Sequence, residues 1–198
     1  RIENVRNLRE SSTREATKKL AEYPMLFGEV RQPKNDFILI PRHFSENRQY
    51  LILGYFDNNN IASDSCLSID NITLSDFGIL TSTMHMTWVK YICGRIKSDY
   101  RYSNELVYNN YPFLKDISDK NRLSVEQKAQ AILDIRTEFK DSSLANLYDP
   151  LAMPPKLKKA HQELDKAVDK CYTNKTFKND KDRIEFLFEL YEEYIGEL

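Results

Sequence analysis

Residues 73–94 read TLSDFGILTSTMHMTWVKYICG, and this stretch decides the fold that we expect. Thr73 and Asp76 have the spacing of a capping box, in which each side chain accepts a hydrogen bond from the other residue's backbone N–H. From Phe77 onward, large apolar residues recur every three or four positions until Gly94. The pattern predicts one long amphipathic helix that ends cleanly at this glycine.

Strand signals precede this helix. Residues 37–40 form the apolar run FILI, which Pro41 ends, and residues 50–56 form a second apolar and aromatic run. The sequence DNNN at 57–60 then marks a turn. These signals predict a sheet with exposed loops.

Helical signals dominate the chain from Ser118 onward. In the first helix, Ser124 and Gln127 have the spacing of a capping box, and we expect a second helix near Pro155 and a third near Asp180. The apolar stripes of these three helices are expected to pack together in an antiparallel arrangement.

The predicted fold class is therefore α+β. A mixed strand and helix domain is expected over residues 1–115, followed by a small helical domain over residues 116–198. The boundary falls between Tyr108 and Asp119, where Pro112 and paired asparagines interrupt the periodic patterns.

Charge is distributed unevenly, although the formal net charge is only −1. Residues 1–102 hold 14 Lys and Arg against 12 Asp and Glu, whereas residues 103–198 hold 15 against 18. A near-neutral chain is not expected to bind nucleic acid nonspecifically, and any surface that faces DNA is expected in the first half. No apolar run approaches the roughly 20 residues that span a bilayer, so we expect no membrane contact.

Residues 95–102, RIKSDYRY, follow the predicted helix and have the clearest potential for base recognition. If this segment is extended, one face carries its four charged side chains, Arg95, Lys97, Asp99 and Arg101. Lys donates to guanine O6 and N7 and Asp accepts from cytosine N4, so Lys97 and Asp99 together match one G·C pair. Arg101 is expected to reach a neighbouring base, and Arg95 a phosphate.

A simpler interpretation stays open, because Lys97 and Asp99 also have the spacing of a weak surface ion pair on an edge strand. Further cations of the first half are candidates for phosphate contacts: Arg31, Lys34, Arg42 and Arg48. Each of them can equally be an ordinary solvated surface residue.

The sequence does not contain the motifs of the common catalytic centres. Its five glycines are widely separated and form no phosphate-binding loop. His43, His85 and His161 stand apart from paired acids, and the three cysteines lack the spacing of a zinc site. We therefore expect no catalytic residue, metal ligand or cofactor in this chain.

Several longer stretches resemble MmeI-like (type IIL) restriction-modification enzymes, specifically their target-recognition domain and C-terminal helical domain. In the first half these are residues 26–34, 40–42, 61–64, 77–103 and 107–113. In the second half they are LANLYDPLAMPP at 144–155 and AHQELDKAVD at 160–169. The resemblance covers nearly the whole chain.

The resemblance implies a parent protein with an N-terminal metal-dependent nuclease, a helical connector and a methyltransferase that uses S-adenosylmethionine to methylate adenine N6. The chain lacks an NPPY or NPPF catalytic motif and begins at Arg1, so we expect it to be a piece of that parent. S-adenosylmethionine and Mg²⁺ would then be held upstream. The implied partners are double-stranded DNA and the upstream methyltransferase domain of the same chain, in the cytoplasm.

The resemblance also implies roles for individual residues. In the family, two residues spaced two apart after the tryptophan-bearing helix read one base pair, with Lys and Asp associated with G. Lys97 and Asp99 fall on that pair, and Arg101 falls on a position that helps to read another. Ser65 is the expected partner of Arg101.

These observations favour a sequence-specific duplex DNA recognition module of an adenine methyltransferase, which grips the surrounding sequence while the target adenine is flipped out of the helix. The alternative is a protein-interaction or regulatory module whose helical tail docks on a partner. A self-contained enzyme is disfavoured by the missing motifs.

Overall fold

The computed structural model describes residues 1–29 and 32–196, and the chain divides into two compact units. The first unit, Arg1–Gln32, contains α1 (Ile2–Glu10), α2 (Glu15–Lys19) and a 3₁₀ turn. The guanidinium of Arg9 stabilises this unit by donating to three backbone carbonyl oxygens of the segment that follows α2, each at 2.8 Å.

The second unit begins at Pro33 and contains strands followed by helices. Its elements are β1 (Phe37–Pro41), β2 (His43–Phe44), β3 (Gly54–Phe56), β4 (Cys66–Asp70), α3 (Leu74–Leu80), α4 (Thr83–Ile92), β5 (Gly94–Ile96), β6 (Asp99–Arg101), a π-helical turn (Asn104–Tyr108), α5 (Asp119–Thr137), α6 (Leu144–Leu147), α7 (Pro155–Tyr172) and α8 (Asp180–Gly196). The α+β class predicted from the sequence is confirmed. None of the helices in the described residues has the length and apolarity needed to cross a membrane.

Two small antiparallel sheets organise the strands. In the first sheet, β1 lies between β3 and β4, and its inward side chains Ile38 and Ile40 are fully buried. In the second sheet, β6 lies between β2 and β5. Arg42 connects β1 to β2, so the second sheet starts directly where the central strand of the first one ends.

The predicted long helix is two helices. Its start is correct, because Thr73 and Asp76 form the capping box, with N···O distances of 3.0 and 3.1 Å. The prediction of continuity was wrong. The hydroxyl of Thr81 donates to the carbonyl of Leu51 at 3.0 Å, and Ser82 becomes the N-cap of α4. Hydroxyl side chains that bond to nearby backbone compete with helix continuation.

The helices of the second half pack on the first half as well as on each other. Helix α5 begins at Asp119 with Ser118 as its N-cap, where the helical signals of the sequence begin, and the capping-box spacing at Ser124 falls inside the helix. Helices α7 and α8 also begin where the sequence indicated. Helix α5 packs on both α7 and α3. A Cβ at Gly78 of α3 would lie 2.6 Å from Cγ1 of Val125, so this close approach requires a glycine.

Helix α8 does not complete the predicted three-helix arrangement. It packs mainly on α4, where Phe188 and Tyr191 lie with their ring centroids 5.7 Å from that of Trp88. Helix α7 also contacts α4, because Asp165 accepts a hydrogen bond from the backbone N–H of Thr83 at 2.7 Å. One hydrophobic core therefore runs through residues of both predicted domains.

Candidate nucleic-acid interface

The segment 95–102 forms a β-hairpin rather than the single extended strand that the sequence suggested. Strands β5 and β6 pair in antiparallel register, with Arg95 opposite Tyr100 and Ile96 opposite Asp99. Lys97 and Ser98 are the two residues of the turn. The predicted alternation fails because the chain reverses at Lys97, so i, i+2 neighbours on the two sides of the turn do not share a strand.

The hairpin has one exposed face and one anchored face. Because directly paired residues of antiparallel strands share a face, the register puts these side chains together on the first: His43, Ile96, Asp99 and Arg101. All four are exposed. The opposite face holds the buried ring of Tyr100, whose centroid lies 5.1 Å from that of Phe44. Arg95 belongs to the anchored face, so the prediction that it shares a face with Asp99 and Arg101 was wrong.

Lys97 occupies the turn in an unusual backbone conformation. Its φ is 56°, in the left-handed region that hairpin turns usually give to Gly, Asn or Asp. Its side chain is exposed, and within the described residues no ion pair joins it to Asp99 or to another carboxylate. The weak surface ion pair considered from the sequence is therefore not formed.

Replacing Lys97 by glycine is expected to stabilise the protein. A left-handed conformation costs a residue with a Cβ roughly 1 to 2 kcal/mol, which glycine would avoid. Glycine loses more conformational entropy on folding, and this loss cancels part of the gain. We expect Lys97→Gly to raise the free energy of unfolding, measured by urea titration, by roughly 0.5 to 1 kcal/mol. The matched control is Ser98→Gly, because the φ of Ser98 is not positive and glycine relieves no strain at that position. If Lys97→Gly destabilised the protein as much as this control, the left-handed conformation would carry no cost.

Arg95 is engaged within the hairpin and its neighbouring loop. Its Nη1 donates to the carbonyl oxygen of Ser98 at 2.7 Å and lies 3.6 Å from Oε2 of Glu46. Its guanidinium carbon lies 4.0 Å from the centroid of the Tyr100 ring. Glu46 also donates its backbone N–H to Oδ1 of Asp99 at 3.3 Å. No local pattern in the sequence points to Glu46, because its position depends on the pairing of β2 with β6.

Arg42 brings the predicted residue Ser65 next to the hairpin. The backbone N–H of Arg42 donates to the carbonyl of Ser65 at 3.0 Å, and its carbonyl accepts from Tyr102 at 2.8 Å. The side-chain Nε of Arg42 donates to the carbonyl of Asp64 at 3.0 Å. Arg42 thus connects Ser65 to Tyr102, the residue directly after Arg101, although Ser65 and Arg101 are far apart in the sequence.

The remaining predicted cations lie in different environments. Lys34 is exposed and precedes β1, at the opposite end of that strand from Arg42. Arg31 falls outside the described residues. Arg48 donates from Nη1 to the carbonyl of Ala145 at 2.9 Å, so it attaches α6 to the loop before β3. The structure therefore groups the hairpin residues with Arg42 and Ser65, and leaves Lys34 and Arg48 apart from them.

Buried aromatic residues support the hairpin from below. The hydroxyl of Tyr102, directly after Arg101, lies 3.0 Å from Nε2 of His85 on α4. The ring of His85 is in edge contact with Tyr111, whose hydroxyl accepts from Tyr172 at 2.8 Å. Burial lowers the pKa of His85 to about 3, so the imidazole is neutral at pH 7. The hairpin is therefore attached to helix α4 through buried contacts of Tyr102 and His85.

Comparisons with known proteins agree with this arrangement. Over 193 residues, the chain is 41% identical to DNA methyltransferase A of Bacillus subtilis (strain 168). The matched region covers 98% of this chain and 22% of that protein. A solved structure of the type IIL restriction-modification enzyme MmeI in complex with DNA has a TM-score of 0.90 and 42% identity, and the match covers 98% of this chain and 26% of that one. The chain thus spans about a quarter of the length of the proteins it matches.

Two family models divide the chain between them. The model described as MmeI, target recognition domain, matches residues 1–115, and the model described as MmeI, C-terminal domain, matches residues 117–198. The hairpin and its supporting helix α4 lie within the first match. The chain belongs to the MmeI family and comprises the target recognition and C-terminal regions of that family.

Proposed function

We propose that this chain is the sequence-specific duplex DNA recognition module of an adenine-N6 DNA methyltransferase of the type II restriction-modification class. The observation that carries the proposal is the exposed hairpin, which presents Lys97, Asp99 and Arg101 on a buried aromatic base. A two-stranded ribbon fits the major groove of B-DNA, which is about 12 Å wide. The relative of known structure was solved in complex with DNA, which supports the same use of this chain.

The proposed base contacts come from four residues: Lys97, Asp99, Arg101 and Ser65. Lys97 donates to guanine O6 and N7 and Asp99 accepts from cytosine N4, so the two residues select one G·C pair. Arg101 and Ser65 read a neighbouring position, and the short connection through Arg42 supports their pairing. In the described residues, the side chains of Lys97 and Arg101 have no hydrogen-bonding partner within the protein, which leaves their donors available for DNA.

The proposed phosphate contacts come from cations around the hairpin. Among the described residues, the side chain of Arg42 donates only from Nε, so its terminal nitrogens remain available for a phosphate beside the bases that Ser65 and Arg101 contact. Lys34 is proposed to contact a phosphate further along the duplex, and Arg31, which lies outside the described residues, is proposed as a phosphate contact from its charge alone. Such contacts fix the position of the protein on DNA without carrying sequence information.

The activity of the whole protein is proposed from its relatives. We propose that a methyltransferase domain upstream in the same chain uses S-adenosylmethionine, and that Mg²⁺ serves any nuclease domain. The residues of this chain fit neither group. Across the described ranges no three His, Cys, Asp or Glu side chains form a metal-binding group, and the sequence has no glycine-rich cofactor loop. We further propose a cytoplasmic location and a division into domains at residues 1–115 and 116–198.

The experiment that tests this function measures binding and methylation with the full-length protein. We expect binding to duplex DNA that depends on sequence and weakens steeply with salt, because each neutralised phosphate adds about 0.9 to the slope of log K against log salt. Sequencing of methylated adenines in cells that express the protein should show one motif. Methylation without a motif, or no binding to DNA, would instead favour a protein-interaction module.

A further inference from the structure

We propose that Arg95 is a positioning residue that fixes the hairpin turn for base recognition, and not the phosphate contact that its sequence suggests. This inference rests on the proposed function, because it assigns to Arg95 a role in the contacts that Lys97 and Asp99 make. The charge and exposure of Arg95 would otherwise identify this residue as a general DNA contact.

The guanidinium of Arg95 is held from three directions. Its central carbon lies 4.0 Å from the centroid of the Tyr100 ring. Its Nη1 donates to the Ser98 carbonyl at 2.7 Å and lies 3.6 Å from Oε2 of Glu46. A planar guanidinium can stack and donate at the same time, which a lysine ammonium cannot do with the same geometry. A phosphate would have to compete with Glu46 for this charge, and it would have to approach the anchored face of the hairpin.

The bond to Ser98 acts on the turn itself. Ser98 is the second residue of the turn, and Lys97, the first, has the costly φ of 56°. Arg95 therefore ties the strand before the turn to the carbonyl after Lys97, which restricts how the turn can relax. If this bond is lost, the left-handed conformation of Lys97 is held less firmly, and its side chain is no longer directed to one place.

Glu46 contacts both Arg95 and Asp99. Its carboxylate lies beside Arg95, while its backbone N–H donates to Oδ1 of Asp99 at 3.3 Å. Oδ2 of Asp99 has no hydrogen bond within the described residues, and it remains available to accept from cytosine N4. Arg95 and Glu46 thus orient the two halves of one recognition pair, Lys97 through the turn and Asp99 through the loop.

The test compares variants of the full-length protein in selections from a randomised duplex library, with binding as the readout. The base pair that Lys97 contacts is identified first, by the change that Lys97→Ala causes. Arg95→Ala is then expected to reduce discrimination at that base pair about 5-fold or more, while preferences elsewhere change by less than about 2-fold. The slope of log K against log salt should be unchanged. Arg95→Lys should not restore discrimination, because it keeps the charge without the planar group.

Two further variants complete the test. In a Lys97→Ala background, Arg95→Ala should change discrimination little, because its effect passes through Lys97. Arg122→Ala removes an equal charge from an exposed position of α5 and should leave the preferences unaltered. Thermal unfolding of each variant checks that the fold is retained.

Several results would overturn the inference. They are a uniform loss of affinity for all sequences in Arg95→Ala, a salt slope reduced by about 1, or rescue by Arg95→Lys, since each is the behaviour of a phosphate contact. Discrimination that is unchanged in Arg95→Ala would overturn it as well. If the wild-type protein showed no sequence preference, the proposed function would fail before the role of Arg95 came into question.

Discussion

Exchange of the two recognition charges, Lys97→Glu combined with Asp99→Arg, is expected to change the favoured base pair from G·C to C·G at one position of the recognition site. The donor is then at residue 99 and the acceptor at residue 97, so the pattern that matches the base edges is reversed. A good pair of contacts discriminates by about 1 to 3 kcal/mol, which corresponds to a change in preference of about 5-fold to 150-fold.

The measurement uses the full-length double variant on a randomised-site library, followed by sequencing of the methylated or bound duplexes. Other positions of the site should keep their preferences, because the exposed face of the hairpin still presents Arg101 unchanged. Lys34→Ala is the control for general affinity, since a phosphate contact weakens all sequences alike. A variant that stays active on the original site would contradict the assignment of Lys97 and Asp99 to a base pair.

Local signals in the sequence were sufficient for several elements of the fold. The capping box at Thr73 and the proline at the start of α7 each act within one turn of a helix, so their effects can be read directly. The α+β class followed from the same kind of signal. The sequence also predicts base contacts in residues 95–102, because charges suited to base edges are concentrated there, and this stays a prediction.

The geometry of the hairpin could not be predicted in the same way. Two-residue turns are usually signalled by Asn-Gly or Asp-Gly, and Lys97-Ser98 carries no such signal. The role of Arg95 depends on Glu46, a residue of another loop that reaches the hairpin only through the pairing of β2 with β6. Long-range contacts of this kind have no local pattern.

The break between α3 and α4 and the position of α8 illustrate the same limit. The apolar period continues through residues 81–83, but the hydroxyl of Thr81 has a tertiary partner, the carbonyl of Leu51. Helix α8 has an apolar stripe, yet the sequence does not specify which apolar surface of the protein this stripe covers. The large ring of Trp88, nearly fully buried, provides that surface on α4.

Acid is expected to destabilise the protein well above the pH at which most carboxylates titrate, because two histidines are buried in the neutral form. His85 and His161 are fully buried, and for both of them burial is the main cause that lowers the pKa to about 3. For His161, the nearby charge of Arg136 lowers the pKa further. Arg136 donates to the hydroxyl of Tyr148, which lies 2.7 Å from Nε2 of His161.

The bonding pattern explains why His161 resists protonation. Because the Tyr148 hydroxyl accepts from Arg136, its own hydrogen points to Nε2, and the imidazole proton must then be on Nδ1. Nδ1 has no hydrogen-bond partner within the described residues, and the same holds for Nδ1 of His85. Protonation of either ring would therefore place a charge in the core while the N–H at Nδ1 has no acceptor within the described residues, and in the case of His161 this charge would lie beside Arg136.

The sign of the pH dependence follows from these lowered pKa values. The unfolded chain, with a histidine pKa of about 6.5, binds more protons than the folded protein in the window between about 6.5 and 3, so stability is complete above this window and is lost as the pH falls through it. Between pH 7 and pH 5 we expect a loss of about 2 kcal/mol for each histidine, or about 4 kcal/mol together. Urea titrations at several pH values measure this loss.

Single substitutions separate the two contributions. His85→Gln and His161→Gln should each remove about half of the loss between pH 7 and pH 5, whatever their effect on stability at pH 7, because glutamine does not titrate. His43→Gln, at an exposed position of the hairpin face, is the matched control for the substitution itself. A pH profile that stays the same in both buried variants would show that these imidazoles do not resist protonation, and the acid sensitivity would then have to come from carboxylates.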